Sequence, residues 1–359
     1  MRVLHFSEIK TSKLGGIYFY IKELIKYQEK IGINSYWFAS SENKKNISNS
    51  ELINKIKLIK PDVIHIHGLW RKPTRLIPLL KKITENIIVA PHGMLNDPSF
   101  SKSKIKKQIA LFLYEKKNLE NIKAFHALNI NEEKYIRNFF IKKDIIKISA
   151  GIDVPNKIIS NINLNWLKEI NKKDKIILFL GRIEPGKGIK ELIEAWNQLT
   201  NEAKENGWWL LIVGYGSMKD YVKDNAINKK RIIFHGKSFG EEKEFILHIS
   251  KAFILPSISE GIPISVLEAI SHKTLCLLTK ECNLEKLNKL GSSIEIKKDI
   301  LNIKLSLKKL FKLNMEEFNE RVEIGFNYAK NEHNWETIAK QSLTIYESFY
   351  NKNYKVFNK

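Results

Sequence analysis

Twelve short apolar runs, many of them rich in β-branched residues, dominate the pattern of this 359-residue chain. They alternate with longer stretches in which apolar residues recur at helical spacing. Strands this apolar are typical of parallel sheets covered by helices on both faces, because a half-exposed strand would alternate apolar and polar side chains. The alternation therefore predicts an α/β chain built from βα units.

The apolar runs fall into two groups of six. The first six are RVLHF, NSYWFA, DVIHIH, NIIVA, AFHAL and DIIKIS, and the second six are KIILFL, WLLIV, RIIFH, AFILP, TLCLL and SSIEI. A polar, Asn-rich stretch near 155–174 separates the two groups. Because the length suits two cores of ~150–200 residues, we predict two doubly wound, Rossmann-like domains in tandem.

The formal net charge of +22 is unevenly spread. Residues 1–150 carry 28 Lys and Arg against 13 Asp and Glu, a net charge of +15, whereas residues 151–359 carry 33 against 26, a net charge of +7. The basic first half indicates an anionic partner, which could be nucleic acid, an anionic membrane surface or a phosphorylated ligand. A general bias towards Lys, Ile and Asn is the alternative explanation.

Composition also bears on the cellular context. Cys276 and Cys282 are the only cysteines, which excludes a disulfide scaffold and a Cys-based zinc site and suits a reducing compartment. No apolar run approaches the ~18 residues of a membrane-spanning helix, and the start, MRVLHFSEIK, lacks the apolar region of a signal peptide. We expect a cytoplasmic protein.

Residues 101–125 have the pattern of an amphipathic helix. Its apolar side chains, with lysines around them, are Ile105, Ile109, Phe112 and Leu113. Such a helix can lie on an anionic leaflet, or it can pack its apolar stripe on its own domain and leave the lysines in water. A second amphipathic helix is predicted at the end of the chain, from Trp335 to Tyr346.

Glycines open the helix that follows the first strand. In SKLGGIYFYIKEL, Gly15 and Gly16 would let backbone amides approach a phosphate or sugar at the positive end of the helix. The third spaced glycine of a dinucleotide fingerprint is missing, and GYGSMK at 214–219 lacks it too, so NAD binding is not favoured.

Two cations lie in a glycine-punctuated loop of the second half. In FLGRIEPGKGIKELIEAW the strand is predicted to end at Leu180, and Arg182 and Lys187 follow before a helix opens after Gly188. A guanidinium and an ammonium above a sheet suit a diphosphate, and a solvated turn is the simpler alternative. The spacing is not that of a P-loop.

Two acids stand in PSISEGIPISVLEAI, residues 256–270. Glu260 precedes Gly261 in a predicted loop, and Glu268 lies about a turn into the following helix. Carboxylates accept hydrogen bonds from vicinal hydroxyls, so two acids flanking helix-terminal amides, with cations from a second loop, make a coherent sugar-nucleotide site. In one alternative, Glu260 helps to cap the helix and Glu268 is a surface residue. In another, the two acids are the acid and nucleophile of a hydrolase, a hypothesis that leaves both cations unexplained.

Histidines mark two strand ends in the first half. His65 and His67 point the same way on one strand, but no third ligand is evident, so no metal site is predicted. His92, between Pro91 and Gly93, is the better candidate for an active-site contact.

These motifs resemble the GT-B glycosyltransferases of the large retaining family 4. The matching segments are GG after the first strand, PDVIHIHGLW, PHGML, ISAGID, LGRIEPGKGIKELIEAW, VGYGSM, PSISEGIPISVLEAI and NWETIA. They occur in the family's order over nearly the whole chain. One departure is Ala150, where the family usually has Asn, which puts in doubt a side-chain hydrogen bond of that loop.

The resemblance implies two Rossmann-like domains facing a cleft. Residues 1–155 would bind the acceptor, residues 156–332 the nucleotide sugar, and residues 333–359 would form a helix that crosses back to the first domain. Retention of configuration by same-face attack, with no cofactor and no divalent metal, is implied as well.

Residue roles follow from the same resemblance. Arg182 and Lys187 would hold the donor diphosphate and stabilise the leaving group. Glu260 would contact hydroxyls of the transferred sugar, with Gly261 beside it, and Glu268 would contact the ribose. The Ile264 and Ser265 amides would face donor oxygens, Gly15 and Gly16 would admit the phosphates, and His92 would lie beside the transferred sugar.

We therefore predict a glycosyltransferase that uses a UDP- or GDP-sugar and a glycan or lipid-linked acceptor in bacterial surface polysaccharide or lipopolysaccharide synthesis. The basic first half suits peripheral contact with the inner face of the plasma membrane. Alternatives are a catalytically silent scaffold, a GT-B phosphorylase or epimerase, and a basic membrane- or nucleic-acid-binding protein. The chain lacks helix-turn-helix, RNP-like and zinc signatures, so nucleic acid is not an expected partner.

Overall fold

The computed structural model describes residues 1–11, 15–42, 45–96, 104–155, 162–226 and 230–349. The chain divides into two compact units: unit 1 comprises Met1–Gly151 and Trp335–Lys359, and unit 2 comprises Ile152–Asn334. Residues 12–14 of the first glycine loop, 101–103 of the lysine-rich segment and 156–161 of the Asn-rich stretch lie outside the described residues.

Unit 1 contains a six-stranded parallel sheet. The strands of unit 1 are β1 (Arg2–Ser7), β2 (Asn34–Ala39), β3 (Ser41–Glu42), β4 (Lys45–Asn46), β5 (Val63–His67), β6 (Ile87–Ala90), β7 (Ala124–Ala127) and β8 (Asp144–Lys147). The sheet order is β2-β1-β5-β6-β7-β8, and β3 pairs with β4 in a separate antiparallel ribbon. The helices are α1 (Gly16–Lys30), α2 (Asn49–Ile59), α3 (Lys72–Arg75), α4 (Ile77–Leu80), α5 (Lys104–Ala110), α6 (Lys116–Glu120) and α7 (Ile130–Phe139), with a π-helical turn at Leu111–Glu115.

Unit 2 repeats this architecture. Its strands are β9 (Lys175–Arg182), β10 (Trp208–Tyr215), β11 (Ile232–Gly236), β12 (Ala252–Leu255), β13 (Leu275–Leu278) and β14 (Ser293–Glu295), in the parallel order β11-β10-β9-β12-β13-β14. Its helices are α8 (Ile189–Asn197), α9 (Thr200–Glu205), α10 (Lys219–Asn225), α11 (Gly240–Ile249), α12 (Ile264–Ser271), α13 (Glu285–Lys289), α14 (Ile300–Lys312) and α15 (Met315–Glu332). Short 3₁₀ turns lie at Asn165–Glu169, Pro185–Lys187 and Lys280–Cys282.

The predicted fold class is confirmed, since each of the twelve apolar runs is a strand of one of two doubly wound sheets. Strand β9 runs two residues beyond the predicted end at Leu180, because the ladder continues through Gly181 paired with Gly214 and Arg182 paired with Tyr215. The β3–β4 ribbon was not predicted.

Two glycines let β10 lie tightly against the end of β9. A Cβ on Gly214 would lie 1.8 Å from the Gly181 carbonyl oxygen, and a Cβ on Gly216 would lie 2.1 Å from that of Ile183. The Ile183 amide in turn donates to the Tyr215 carbonyl over 2.7 Å. The GYG motif at 214–216 is therefore explained by close backbone packing beside the β9 loop.

The lysine-rich helix leaves its apolar stripe uncovered within unit 1. Ile105 is 73%, Ile109 53%, Phe112 88% and Leu113 67% exposed. The expectation that this stripe packs on its own domain is therefore wrong for these four side chains. The residues of the same segment that face the core are Leu111, Glu115 and Leu119. Among the described residues, no helix has the length and apolarity needed to cross a bilayer.

The last helix, α16 (Trp335–Ser348), packs on α1 and completes the core of unit 1. Trp335, Ile338, Ile345 and Tyr346 are buried there. Trp335 lies so close to the Gly151 backbone that a Cβ on Gly151 would lie 2.6 Å from its Cδ2 atom. Helix α16 is thus part of the first core.

Five imidazoles form a polar layer between the unit 1 sheet and helices α1 and α16. His5, His65, His67 and His126 are buried, and His92 is partly buried beside them. Burial lowers the pKa of His5 and His126 to about 4 and that of His92 to about 3. Burial and the neighbouring imidazoles hold the pKa values of His65 and His67 well below the usual range, so the layer is uncharged at neutral pH.

Replacing Gly216 by Ala should destabilise unit 2, because the added methyl group would collide with the Ile183 carbonyl. We expect a loss of ~2 kcal/mol or more in the free energy of unfolding, measured by urea denaturation. Gly181→Ala is the matched control, since a Cβ there meets nothing within 4 Å. Equal stability of the two variants would contradict the close packing.

The protein should lose more stability at acid pH than protonation of its carboxylates alone would cause. A histidine in the unfolded chain has a pKa near 6.5, so below that pH the unfolded chain binds protons that the buried rings of the folded protein do not bind. The free energy of unfolding should therefore fall from pH ~6.5 towards ~4, by ~1.4 kcal/mol per pH unit for each such ring. Urea denaturation followed by circular dichroism at several pH values measures this slope.

His126→Gln is the control for the acid effect. The amide can keep both hydrogen bonds of the ring but cannot titrate, so the slope should decrease by about one proton's contribution. An unchanged slope in this variant would show that the imidazole layer is not its source.

Candidate functional site

The loops that follow β9 and β12 lie side by side in unit 2. The two strands are neighbours in a parallel sheet, so their carboxyl ends reach the same edge. The Ile258 amide donates to the Gly186 carbonyl over 3.0 Å, and the Ser257 hydroxyl contacts the same oxygen at 3.3 Å. These bonds join the predicted cation loop to the predicted acid loop.

Gly188 makes this approach possible. It has φ of +70°, and a Cβ on it would lie 2.2 Å from the Pro256 carbonyl oxygen. Both the left-handed backbone and the close contact require glycine. The residue also ends the 3₁₀ turn that carries Lys187 and precedes helix α8.

Lys187 and Glu260 form an ion pair where the two loops meet. Their side chains are 16% and 11% exposed, so both charges are largely withdrawn from water. The sequence motifs predict both residues for the site but not their pairing. Two opposite charges held in a poorly solvated place provide one group for an anion and one for hydroxyl donors.

The backbone around Glu260 is held by Asn283, which sequence analysis missed. Its side-chain amide donates to the carbonyls of Glu260 and Gly261 over 2.7 Å each. Asn283 has φ of 58°, a conformation that Asn tolerates better than most residues. The residue type was the only feature of the sequence that could have indicated a left-handed turn at this position. The Glu260 amide also donates to the Glu281 carbonyl.

Arg182 lies at the exposed end of β9, five residues before Lys187. The loop between them is fixed by Glu184, whose carboxylate accepts from the Ser217 amide at 3.1 Å and hydroxyl at 2.6 Å. The guanidinium can therefore reach a ligand from a defined loop.

Helix α12 begins directly after the acid loop, with Pro263 at its N-cap and no capping side chain. The first amides of a helix have no acceptor inside it, so those of Ile264 and Ser265 are available to an anion or hydroxyl oxygen. Glu268, one turn further on, pairs with Lys243 of α11 at 2.6 Å. Lys243 is a second residue that sequence analysis missed.

The buried thiols of unit 2 do not act as nucleophiles in this geometry. Burial and the nearby Glu260 carboxylate raise the pKa of Cys282 to about 12, and burial raises that of Cys276 as well. A thiol that stays protonated at neutral pH is unreactive.

The site residues predicted for the first half lie at the carboxyl edge of the unit 1 sheet. His92 follows β6 with φ of 53°, and Gly15, with φ of 60°, precedes helix α1 after β1. Tyr20 of α1 packs edge-on against the His92 ring, with centroids 5.3 Å apart. Beside His92, the Gly93 amide donates to the buried carboxylate of Glu132 over 2.6 Å. Sequence analysis missed this anchor.

His5, His65 and His67 have ring nitrogens within 4.8 Å of one another, a spacing that a metal ion could use. His5 is the third imidazole that the sequence did not reveal, because it comes from β1 while the other two come from β5. Each ring already has both nitrogens in hydrogen bonds to other side chains. A cation would have to break several of these bonds, so the geometry favours a hydrogen-bonded cluster.

Part of unit 2 matches a known protein family. Residues 163–331 match the family model of the glycosyl transferases group 1. A UDP-Gal:α-D-GlcNAc-diphosphoundecaprenol α-1,3-galactosyltransferase of Escherichia coli is 26% identical over 249 residues, which are 64% of this chain and 61% of that protein. The first two curated relatives are matched over 31% and 61% of their own lengths, so the chain spans less than two thirds of either.

Solved structures show the same architecture over nearly the whole chain. Sucrose-phosphate synthase from Thermosynechococcus elongatus superposes with a TM-score of 0.77 at 15% identity, covering 98% of this chain and 100% of that one. HepE of Anabaena, solved in complex with UDP and glucose, has a TM-score of 0.68 at 13% identity and covers 97% and 100%. The two parallel sheets and these neighbours show the GT-B fold, and residues 163–331 within it match the glycosyl transferases group 1 model.

Proposed function

We propose that the protein is a retaining glycosyltransferase of family 4 that transfers a sugar from a UDP- or GDP-sugar to a glycan or lipid-linked acceptor. The observation that carries the proposal is the Lys187–Glu260 ion pair, largely withdrawn from water where the β9 and β12 loops meet. The HepE structure, which contains UDP and glucose, supports this class of donor.

The cations would bind the donor diphosphate. Lys187 supplies a compact charge, and Arg182 supplies a planar fork that can hold two phosphate oxygens. The same charges would stabilise the nucleoside diphosphate as it departs, and losing one such group typically costs ~10²–10³ in rate. With two cations in these roles, we propose that transfer needs neither a cofactor nor a divalent metal.

Donor binding would exchange one partner of each charged residue for another. Lys187 would turn from Glu260 to the diphosphate, and the released carboxylate would accept hydrogen bonds from hydroxyls of the transferred sugar. Glu268, now paired with Lys243, would accept from the ribose in the same way. The Ile264 and Ser265 amides at the start of α12 would complete the contacts to donor oxygens.

For the unit 1 residues, the roles expected from the resemblance are proposals too. His92 would contact the transferred sugar, and Gly15 and Gly16 would admit the phosphates. We propose that the incoming hydroxyl attacks on the face from which the nucleotide leaves, assisted by the donor phosphate.

The acceptor side of the proposal draws on charge and exposure. The name of the E. coli relative describes an acceptor linked to diphosphoundecaprenol. Residues 1–150 carry the net charge of +15, and the four exposed apolar side chains of the 105–113 segment lie on the same unit. We propose a cytoplasmic protein, without a nucleic-acid partner, that docks this surface on the anionic inner face of the plasma membrane during surface polysaccharide or lipopolysaccharide synthesis.

Two variants should separate diphosphate binding from sugar binding. The wild-type protein is tested in EDTA with a panel of UDP-, GDP-, ADP- and dTDP-sugars. One of these nucleotide sugars should stabilise it by ~2.7 kcal/mol when the ligand concentration is a hundred times the dissociation constant. Lys187→Ala should lose most of the response to the nucleoside diphosphate alone. Glu260→Gln should keep that response but gain nothing further from the sugar, because its hydroxyl acceptor is weakened.

Neighbouring residues provide the controls, measured by the same thermal unfolding. Lys190→Ala removes an exposed cation three residues away, and Glu281→Gln removes an exposed acid next to the site. Neither should change the response. If the Lys187 and Glu260 variants respond like wild type to both ligands, the donor site is assigned wrongly.

Membrane docking should depend on the exposed stripe. Phe112→Ser with Leu113→Ser should reduce cosedimentation with vesicles of anionic phosphatidylglycerol several-fold, because the apolar area that would enter the lipid is removed. Leu301→Ser with Leu305→Ser, on helix α14, changes another exposed apolar pair, in unit 2, and should have no effect. Equal binding of the two variants would argue against this surface.

A further inference from the structure

A continuous chain of hydrogen bonds runs through the polar layer of unit 1. In order it joins His92, His67, His5, Gln28, Tyr346, His65, His126 and the Ile148 carbonyl. The distances lie between 2.7 and 3.0 Å, except for 3.4 Å between Gln28 and Tyr346. Because a neutral imidazole has one donor and one acceptor nitrogen, each bond constrains the next.

The Ile148 carbonyl fixes which group donates and which accepts in the four hydrogen bonds nearest to it, as far as Gln28. A carbonyl can only accept, so Nε2 of His126 carries the proton, and Nδ1 of His126 must accept from Nε2–H of His65. Nδ1 of His65 then accepts from the Tyr346 hydroxyl, whose oxygen is left to accept from the Gln28 amide.

A second carbonyl fixes the Gln28 amide independently. Ser342 of α16 donates its hydroxyl proton to the Ala339 carbonyl over 2.7 Å, so its oxygen accepts from Nε2 of Gln28 over 3.0 Å. Oε1 of Gln28 therefore faces the sheet, where it also accepts from the Ser35 hydroxyl. Both carbonyl ends give the same orientation for this side chain.

The orientation of Gln28 fixes donor and acceptor in each of the remaining hydrogen bonds, as far as His92. Oε1 accepts from Nε2–H of His5, so Nδ1 of His5 accepts from Nε2–H of His67. Nδ1 of His67 in turn accepts from Nε2–H of His92. His92 is the last member, its backbone is held at φ of 53°, and its Nδ1 is the acceptor left over.

We propose that this chain is a positioning network that fixes the Nε2–H tautomer of His92 and presents its Nδ1 as an acceptor for a ligand hydroxyl. The chain also couples His92 to helix α16, because Tyr346 is one of its members and Ser342 accepts from its Gln28 amide. That the hydroxyl belongs to a sugar rests on the proposed function. The tautomer does not, since it follows from hydrogen bonds within unit 1.

The tautomer can be read in the full chain labelled with ¹⁵N-histidine. Long-range proton–nitrogen correlation at pH ~7.5, with His92 assigned from the spectrum of His92→Gln, distinguishes a protonated Nε2 from a protonated Nδ1. We expect His92 with Nε2 protonated and Nδ1 bare. A His92 protonated at Nδ1 in the wild-type protein overturns the proposal without any network variant.

Variants of His67 test whether the network is the cause. His67→Leu removes the acceptor, so His92 should populate both tautomers. His67→Gln can accept from His92 and donate to His5, and should restore the single tautomer. Ile66→Ala, on the opposite face of β5, is a control for lost stability and should leave the His92 signals unchanged.

His126→Leu provides a second, remote variant should His67→Leu fail to fold. It removes the acceptor of the His65 Nε2–H, so His65 should populate both tautomers. A single unchanged tautomer of His92 in His67→Leu, or of His65 in His126→Leu, would show that the network does not set the protonation. Because this readout needs no donor or acceptor, it stands or fails independently of glycosyl transfer.

Discussion

Parallel strands cannot be joined by tight hairpins, so each pair needs a crossover, and the loops that leave the strands meet at one edge of the sheet. This constraint brings Lys187 and Glu260 together although 73 positions separate them. Neighbouring β9 and β12 supply the edge, and glycines at 188, 214 and 216 allow backbone contacts that any side chain would obstruct. The chemistry of unit 2 depends on this packing, because backbone hydrogen bonds join the two loops and the side chains of Glu184 and Asn283 fix their conformation.

The polar layer of unit 1 meets a different demand. Buried imidazoles lose hydration, and they are tolerated only when each nitrogen finds a partner and each ring stays neutral. The four buried rings, His5, His65, His67 and His126, achieve this through a network that ends on the main-chain carbonyls of Ile148 and Ala339. Helix α16 supplies Tyr346 and Ser342 to the layer, so this helix belongs to the first core both by packing and by hydrogen bonding.

Charge in unit 2 is held in pairs that a ligand could replace. Lys187–Glu260 and Lys243–Glu268 each keep an acid and a cation together in a partly desolvated place, where an unpaired charge would be costly. A nucleotide sugar carries both complementary features, a diphosphate for the cations and hydroxyls for the acids. The pairs therefore suit a site that must remain stable with and without its ligand.

Local pattern determined much of this protein. The twelve apolar runs specified the strands and the fold class, and glycine-punctuated loops singled out Arg182, Lys187, Glu260 and Glu268, because strand burial and turn chemistry depend on near neighbours in sequence. The tertiary structure alone decided which of these side chains meet. The Lys187–Glu260 pair and the approach of His5 to His65 and His67 depend on strand order and register, which join residues far apart in the chain. The exposure of Phe112 was decided by how its helical segment packs, since Leu111 and Leu119, rather than Phe112, lie against the core.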